Sequence, residues 1–249
     1  MPAVKQNGVE QTGASLQADD RHPYAISFSG MDGAGKTTQI DALLLYLREA
    51  GIRVRVLRFW DDIAVAGVAR ETLSHKLFKS EKGIGSPDQP VRRRDKNVSG
   101  WYMTLARMLL YTLDAARLSL VVKTLSSTEA DVVIFDRYIY DQLVNLNLRN
   151  PITRAYSKLM LKLVPRPDIA FVLDADPVQA RARKPEYPIK FLRRIREAYQ
   201  ELAAWGGLTS IVPLTREDVT RSILRSLPPF PQLTSSGGIP PLAFRSSHQ

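Results

Sequence analysis

Gly30-Met31-Asp32-Gly33-Ala34-Gly35-Lys36-Thr37 is the stretch on which the fold of this chain turns. It fits G-x-x-x-x-G-K-[ST], and its flanks matter as much as the match. Before it, Tyr24-Ala25-Ile26-Ser27-Phe28-Ser29 alternates and carries aromatic and β-branched residues, the pattern of a strand. After it, Ile40, Leu43, Leu44 and Leu47 fall on one helical face, and Gly51 stands where a helix ends. A glycine-rich turn between a strand and a helix lets backbone N–H groups point inward around phosphate oxygens. The helix N-terminus adds its partial positive charge. In that setting Lys36 reaches the terminal phosphates of a nucleoside triphosphate, and the Thr37 hydroxyl can ligate Mg²⁺.

Outward from the loop, strand and helix patterns alternate. Ile52 to Phe59 reads as a second strand, and a long helix is expected from about Trp101 to Leu125. Asp131-Val132-Val133-Ile134-Phe135 is a buried-strand run ending at Asp136-Arg137, and Asp168-Ile169-Ala170-Phe171-Val172-Leu173 another, stopping at Asp174. Phe191 to Trp205 reads as helix, Ser210 to Leu214 as a short final strand, and Arg216 to Leu227 as a final helix capped by Thr215. The alternation predicts an α/β fold: a three-layer parallel sheet with helices on both faces. The expected domain spans residues 23–228. A polar, aperiodic arm (1–22) precedes it and a disordered Pro/Ser/Gly-rich tail (229–249) follows. Inside the domain, a stretch at about 74–99 gathers Lys76, Lys79, Lys82, Arg92, Arg93, Arg94 and Lys96 and reads as a basic loop.

Composition narrows the chemistry. The 249 residues include no cysteine, which excludes disulfides, thiolate metal sites and a cysteine nucleophile. His22, His75 and His248 are scattered, so a histidine-built zinc site is not expected. No stretch reaches the ~18 consecutive apolar residues of a membrane span, and the first twenty residues lack the apolar core of a secretory signal. Cytoplasm is the expected compartment. A net charge of +10 attracts anions without choosing among nucleotide, nucleic acid and lipid.

Phe28-Ser29-Gly30-Met31-Asp32-Gly33-Ala34-Gly35-Lys36-Thr37-Thr38-Gln39 resembles the opening of thymidylate kinases, P-loop enzymes that phosphorylate dTMP with ATP. Three landmarks agree in order. Val133 to Tyr138 is similar to the family's strand-terminal Asp-Arg-Tyr/His motif, and Pro167 to Pro177 to its fourth strand and following turn. Arg181 and Arg183 fall where the family has an arginine-containing lid, here about 178–190. The resemblance covers roughly residues 24–227 and is poor at 74–99.

It implies ATP and Mg²⁺ as cofactors. Residues 30–38, namely Gly30, Met31, Asp32, Gly33, Ala34, Gly35, Lys36, Thr37 and Thr38, would bind ATP. Thr37 and, through water, Asp136 would hold the metal. Lys36, Asp32, Arg137 and Arg183 are the implied catalytic residues. Family members with a Gly-Ala loop draw this arginine from the lid, which makes Arg181 or Arg183 the candidate, and Arg183 aligns best. Asp32, Arg58, Arg70, Arg117 and Arg137 would face the acceptor, Arg117 at the thymine edge. The chain also departs from the family. Phe59-Trp60-Asp61-Asp62 replaces Glu-Pro-Gly-Gly, Leu113 stands in place of a stacking phenylalanine near Tyr111, and Ile139-Tyr140-Asp141-Gln142 lacks the usual serine. The ATP side therefore carries more of the resemblance than the thymine side. The expected partner is a nucleoside monophosphate, dTMP first. A homodimer is compatible with the sequence; a membrane or nucleic-acid partner is not expected. Two alternatives use the same residues: a kinase of this fold with another small anionic acceptor, and a non-enzymatic nucleotide- or nucleic-acid-binding protein.

Overall fold

Among the described residues, five strands, all parallel, form one sheet in the order β2-β3-β1-β4-β5. They are β1 (Tyr24–Ser29), β2 (Val54–Arg58), β3 (Val132–Asp136), β4 (Ile169–Leu173) and β5 (Thr209–Ile211). The structure is a computed structural model that describes residues 22–65, 101–212 and 215–229. Arg70, the 74–99 stretch, the arm up to residue 21 and the tail from residue 230 lie outside the described residues. The helices are α1 (Lys36–Glu49), α2 (Trp101–Thr124), α3 (Tyr140–Leu143, a single turn), α4 (Pro151–Leu163), α5 (Pro177–Arg183), α6 (Ile189–Gly206) and α7 (Arg216–Arg225).

The central strands are apolar almost without interruption because both of their faces are covered. Ile26, Phe28, Val132, Ile134, Phe171 and Leu173 pack with Ile40, Leu43 and Leu47 of α1 and Ile223 of α7. The alternate residues Val133, Phe135, Ala170 and Val172 pack on the other face with Tyr111, Ala115 and Leu118 of α2, and with residues of α4 and α6. Burying each large side chain in these two layers contributes roughly 1.5–3 kcal/mol. The α/β expectation thus holds, with helices on both faces.

Local details differ from the sequence reading. β2 stops at Arg58, one residue early, because Phe59–Ile63 winds into a π-helical turn whose ends, Phe59 and Ile63, are fully buried. β5 spans Thr209–Ile211, paired with Phe171 to Leu173 of β4; residues 213 and 214 of the expected strand lie outside the described residues. Helices α3, α4 and α5 go beyond the sequence reading. The start of α4 was nonetheless written locally: Asn150 accepts from the N–H groups of Ile152 and Thr153, and Pro151 takes the first helical position. Asp176 and Pro177 start α5 in the same way. No helix among the described residues is long and apolar enough to cross a membrane.

The chain builds β3 on one side of β1 and β4 on the other. Where a doubly wound sheet changes side, a crevice opens beyond the carboxyl ends of its strands. Into it lead Gly30 after β1, Arg137 after β3 and Asp174 after β4.

Candidate active site

The glycine loop is wedged between β4 and α5. A Cβ on Gly30 would lie 2.6 Å from the Leu173 carbonyl oxygen, and one on Gly33 would lie 2.5 Å from that of Ala180. Both residues also have positive φ, so glycine is required twice over. The loop delivers the N-terminus of α1 with no side-chain cap and no acidic residue in its first turn. Such an end leaves donors for an anion. Thr37 is exposed there, with Thr38 beside it. Lys36 is buried, and its Nζ donates to the carbonyl oxygens of Gly30 (2.8 Å) and Met31 (2.9 Å). Burial, then the Arg137 guanidinium, lowers its pKa to about 8, against the opposing pull of Asp32, Asp141 and Asp136.

At the end of β3, Asp136 lies level with Phe28 of β1 and Arg58 of β2. Arg137 then leaves the strand at φ 72, the one non-glycine residue with positive φ among those described. Its N–H donates to the Phe28 carbonyl at 3.0 Å, which holds the turn. A left-handed conformation costs an L-residue roughly 1–2 kcal/mol. The guanidinium is clamped between two carboxylates: Nη2 donates to Asp32 at 2.5 Å and Nη1 to Asp141 at 3.0 Å. Burial alone would pull its pKa down, but Asp141 and Asp32 carry it well above the ordinary arginine value. Asp32, Arg137 and Asp141 line one small cavity with Asn145, Tyr187, Phe191 and Tyr199, and the Tyr187 and Phe191 rings stack at 4.8 Å.

Asp141 enters the sequence reading only as a departure from the family pattern, with no role, and Tyr199 does not enter it. The available signal was the Arg137-to-Asp141 spacing of four residues, that of neighbours on a helical turn. Nothing local pointed to Tyr199, which comes from α6.

Arg183 of α5 reaches the loop, with Nη1 donating to the Gly33 carbonyl at 3.0 Å. Arg181 does not make that contact, and its Nε is buried without a hydrogen-bond partner. Lys36, Asp32, Arg137 and Arg183 therefore gather around one loop. Arg58 and Arg117 form a separate group around Asp62 of the π-helical turn. The Arg58 N–H donates to the Asp62 carboxylate at 2.6 Å, and Arg117 Nη2 to the Asp62 carbonyl at 3.3 Å. Leu113 is 46% exposed on α2, whereas Tyr111 is buried in the core and presents no ring at that surface. Arg70 falls outside the described residues.

The donors fit a cation shared with phosphate. Thr37 offers a hydroxyl and Asp136 a half-buried carboxylate. Among the described residues no group of three or more His, Asp or Glu could cage a metal alone. Mg²⁺ is typically bound by one or two protein oxygens, water and substrate phosphates.

Comparison with known proteins agrees with this geometry. No family model matches the chain. It is 30% identical over 206 residues to a probable thymidylate kinase of Methanothermobacter thermautotrophicus, covering 79% of this chain and 92% of that one. It is 28% identical over 232 residues to a thymidylate kinase of Chlorobaculum tepidum, covering 81% and 95%. A crystal structure of thymidylate kinase from Ehrlichia chaffeensis shares the fold, with a TM-score of 0.50 at 20% identity, covering 82% of this chain and 97% of that one. With its glycine loop, the Arg137 turn and relatives spanning nearly their whole length, the chain belongs to the thymidylate kinase family.

Proposed function

We propose that this chain transfers the γ-phosphoryl group of ATP to dTMP, giving ADP and dTDP. An oxygen of the acceptor 5′-phosphate attacks the γ-phosphorus, and the bond from that phosphorus to the β,γ-bridging oxygen breaks. The observation that carries the reading is the convergence of Lys36, Arg137 and Arg183 on one loop, beside Asp32, in a chain of this family.

Each residue answers a physical need of that step. Two phosphate groups meet and repel, so fixed positive charge must stand between them before they arrive. Residues 30–38 wrap the phosphates of ATP with backbone N–H groups, and Lys36 exchanges its two carbonyl partners for phosphate oxygens. Arg137 holds the acceptor phosphate, while Asp32, beside it, meets the acceptor sugar and helps orient that phosphate. Arg183 leaves the Gly33 carbonyl to stabilise the transferring group. Arg58 and Arg117, organised by Asp62, flank the acceptor from the β2 side, and Arg70 belongs with them in the family pattern. Mg²⁺, held by Thr37 and through water by Asp136, supplies charge neutralisation between the phosphates when bound.

Incubation with ATP, Mg²⁺ and dTMP, followed by separation of the nucleotides, tests the reading. Equal amounts of ADP and dTDP are expected from the wild type, and Lys36→Ala should lose at least about a hundredfold in kcat. ADP formed without dTDP would contradict it.

A further inference from the structure

Asp141 lies in the wall of the same cavity as Asp32 and Arg137, almost wholly covered by its own partners. Its side chain is 1% exposed, so it presents nothing to a ligand. It nevertheless takes four hydrogen bonds. Oδ2 accepts from Ser29 Oγ at 2.6 Å and from the Tyr138 N–H at 3.3 Å. Oδ1 accepts from Arg137 Nη1 at 3.0 Å and from the Tyr199 hydroxyl at 2.9 Å. The donors come from β1, from the turn after β3 and from α6, so three separate elements meet on one carboxylate.

We propose that Asp141 is a positioning residue that fixes the Arg137 guanidinium for the acceptor phosphate. The inference rests on the kinase reading given above and assigns that site a further residue. Arg137 has five N–H donors, and two carboxylates grip it from different sides. Asp32 lies in the cavity, and its contact with Nη2 must loosen when an acceptor enters. Asp141 lines the same cavity but is 1% exposed against 15% for Asp32, and three further donors hold it in place, so it keeps Nη1 when an acceptor enters. The guanidinium then pivots about a fixed edge instead of searching among rotamers, and its remaining donors face the incoming phosphate. Prepaid orientation of this kind lowers the cost of binding the acceptor. It does nothing for ATP, which is held by residues 30–38.

A carboxylate is needed because every partner is a donor. An asparagine at this position turns an NH₂ group toward either Arg137 and Tyr199 or Ser29 and Tyr138. Asp141→Asn therefore removes the negative charge that holds Arg137, and in either orientation sets an NH₂ group against one obligate donor, Arg137 or the Tyr138 N–H, while nearly preserving shape. Asp141→Glu keeps the charge, and Tyr199→Phe removes one donor while leaving the Arg137 pair intact.

Calorimetric titration of each full-length protein with dTMP and, separately, with a non-hydrolysable ATP analogue reads the effect, alongside KM and kcat. In Asp141→Asn the Kd and KM for dTMP should rise at least about tenfold, and the Kd for the ATP analogue should stay within about twofold. Tyr199→Phe should stay within about threefold of wild type for dTMP, and Asp141→Glu should recover part of the lost affinity. A merely structural Asp141 would lower the active fraction, reducing kcat and binding stoichiometry with both affinities unchanged, and that outcome overturns the proposal. Equal weakening of both ligands in Asp141→Asn, or a loss in Tyr199→Phe as large as in Asp141→Asn, overturns it as well. If the wild type uses a different acceptor, the dTMP reading fails by itself, and the same comparison with that acceptor still decides the role of Asp141.

Discussion

Arg137 Nη2 donates to Asp32 Oδ1 at 2.5 Å, joining the end of β3 to the glycine loop across 105 residues of chain. The contact places the strand-terminal arginine directly against the nucleotide-binding loop. Both partners are mostly buried, with side-chain exposures of 21% and 15%, so the interaction is little weakened by solvent. It explains why an acidic residue is tolerated inside a loop built to hold phosphate.

Arg137→Ala removes the charge that Asp32 and Asp141 both depend on. We expect kcat/KM for dTMP to fall at least about a hundredfold, as loss of a transition-state charge partner commonly does. Leaving Asp32 and the buried Asp141 without their shared cation should also destabilise the fold by about 3–5 kcal/mol. Steady-state kinetics with urea unfolding checks both, and a variant of unchanged activity would remove Arg137 from the mechanism.

Lys36 gives the site a pH dependence of definite sign. Its pKa of about 8 in the folded protein lies below the ordinary lysine value of 10.5. In the empty protein it therefore loses its proton as pH rises through about 8, while the unfolded chain keeps its own up to about 10.5. In that window the unfolded state binds more protons, so this group's contribution to stability rises with pH. ATP prefers the ammonium form, so its affinity should decline above pH 8. Binding should then be accompanied by proton uptake. Calorimetry at pH 8.5 in buffers of different ionisation enthalpy measures that uptake directly, and zero uptake with pH-independent affinity would contradict the assignment.

The two arginines of α5 should separate in function. Arg183 contacts the Gly33 carbonyl, whereas Arg181 turns a buried Nε away from any partner. Arg183→Ala should reduce kcat about a hundredfold with KM for ATP changed by less than about threefold, the pattern of an interaction made in the transition state. Arg181→Ala should retain most of kcat. The reverse ranking would move the lid role to Arg181.

What could be read from sequence followed the range of the interactions. The strand–loop–helix unit around residues 24–47 is local: glycine spacing, strand alternation and helical periodicity all lie within a short window. The parallel sheet was equally legible, because two-sided burial leaves continuous apolar runs at Val132 to Phe135 and Ile169 to Leu173. The caps Asn150-Pro151 and Asp176-Pro177 were present in the sequence but passed over. Asp141 was not legible, since its donors lie at positions 29, 137, 138 and 199 and meet only after the sheet closes. The π-helical turn at Phe59–Ile63 was also hidden. Only Phe59 was read as part of the strand, and the turn is set by the burial of Phe59 and Ile63 at its two ends, which no local pattern announces. The thymine side remains the part where this chain departs most from its family, with exposed Leu113 in the place of a stacking ring.

The central claim is that the chain is a dTMP kinase, and an acceptor panel tests it most directly. Initial rates are measured with ATP, Mg²⁺ and equal concentrations of dTMP, dUMP, dCMP, UMP or AMP. With Arg137 and Arg183 at the glycine loop and no aromatic ring at Leu113, dTMP should give the highest kcat/KM and dUMP should follow within about tenfold. The missing stacking term is worth roughly 0.5–1.5 kcal/mol, too little to abolish recognition. Turnover of another nucleotide with neither dTMP nor dUMP accepted would contradict the claim.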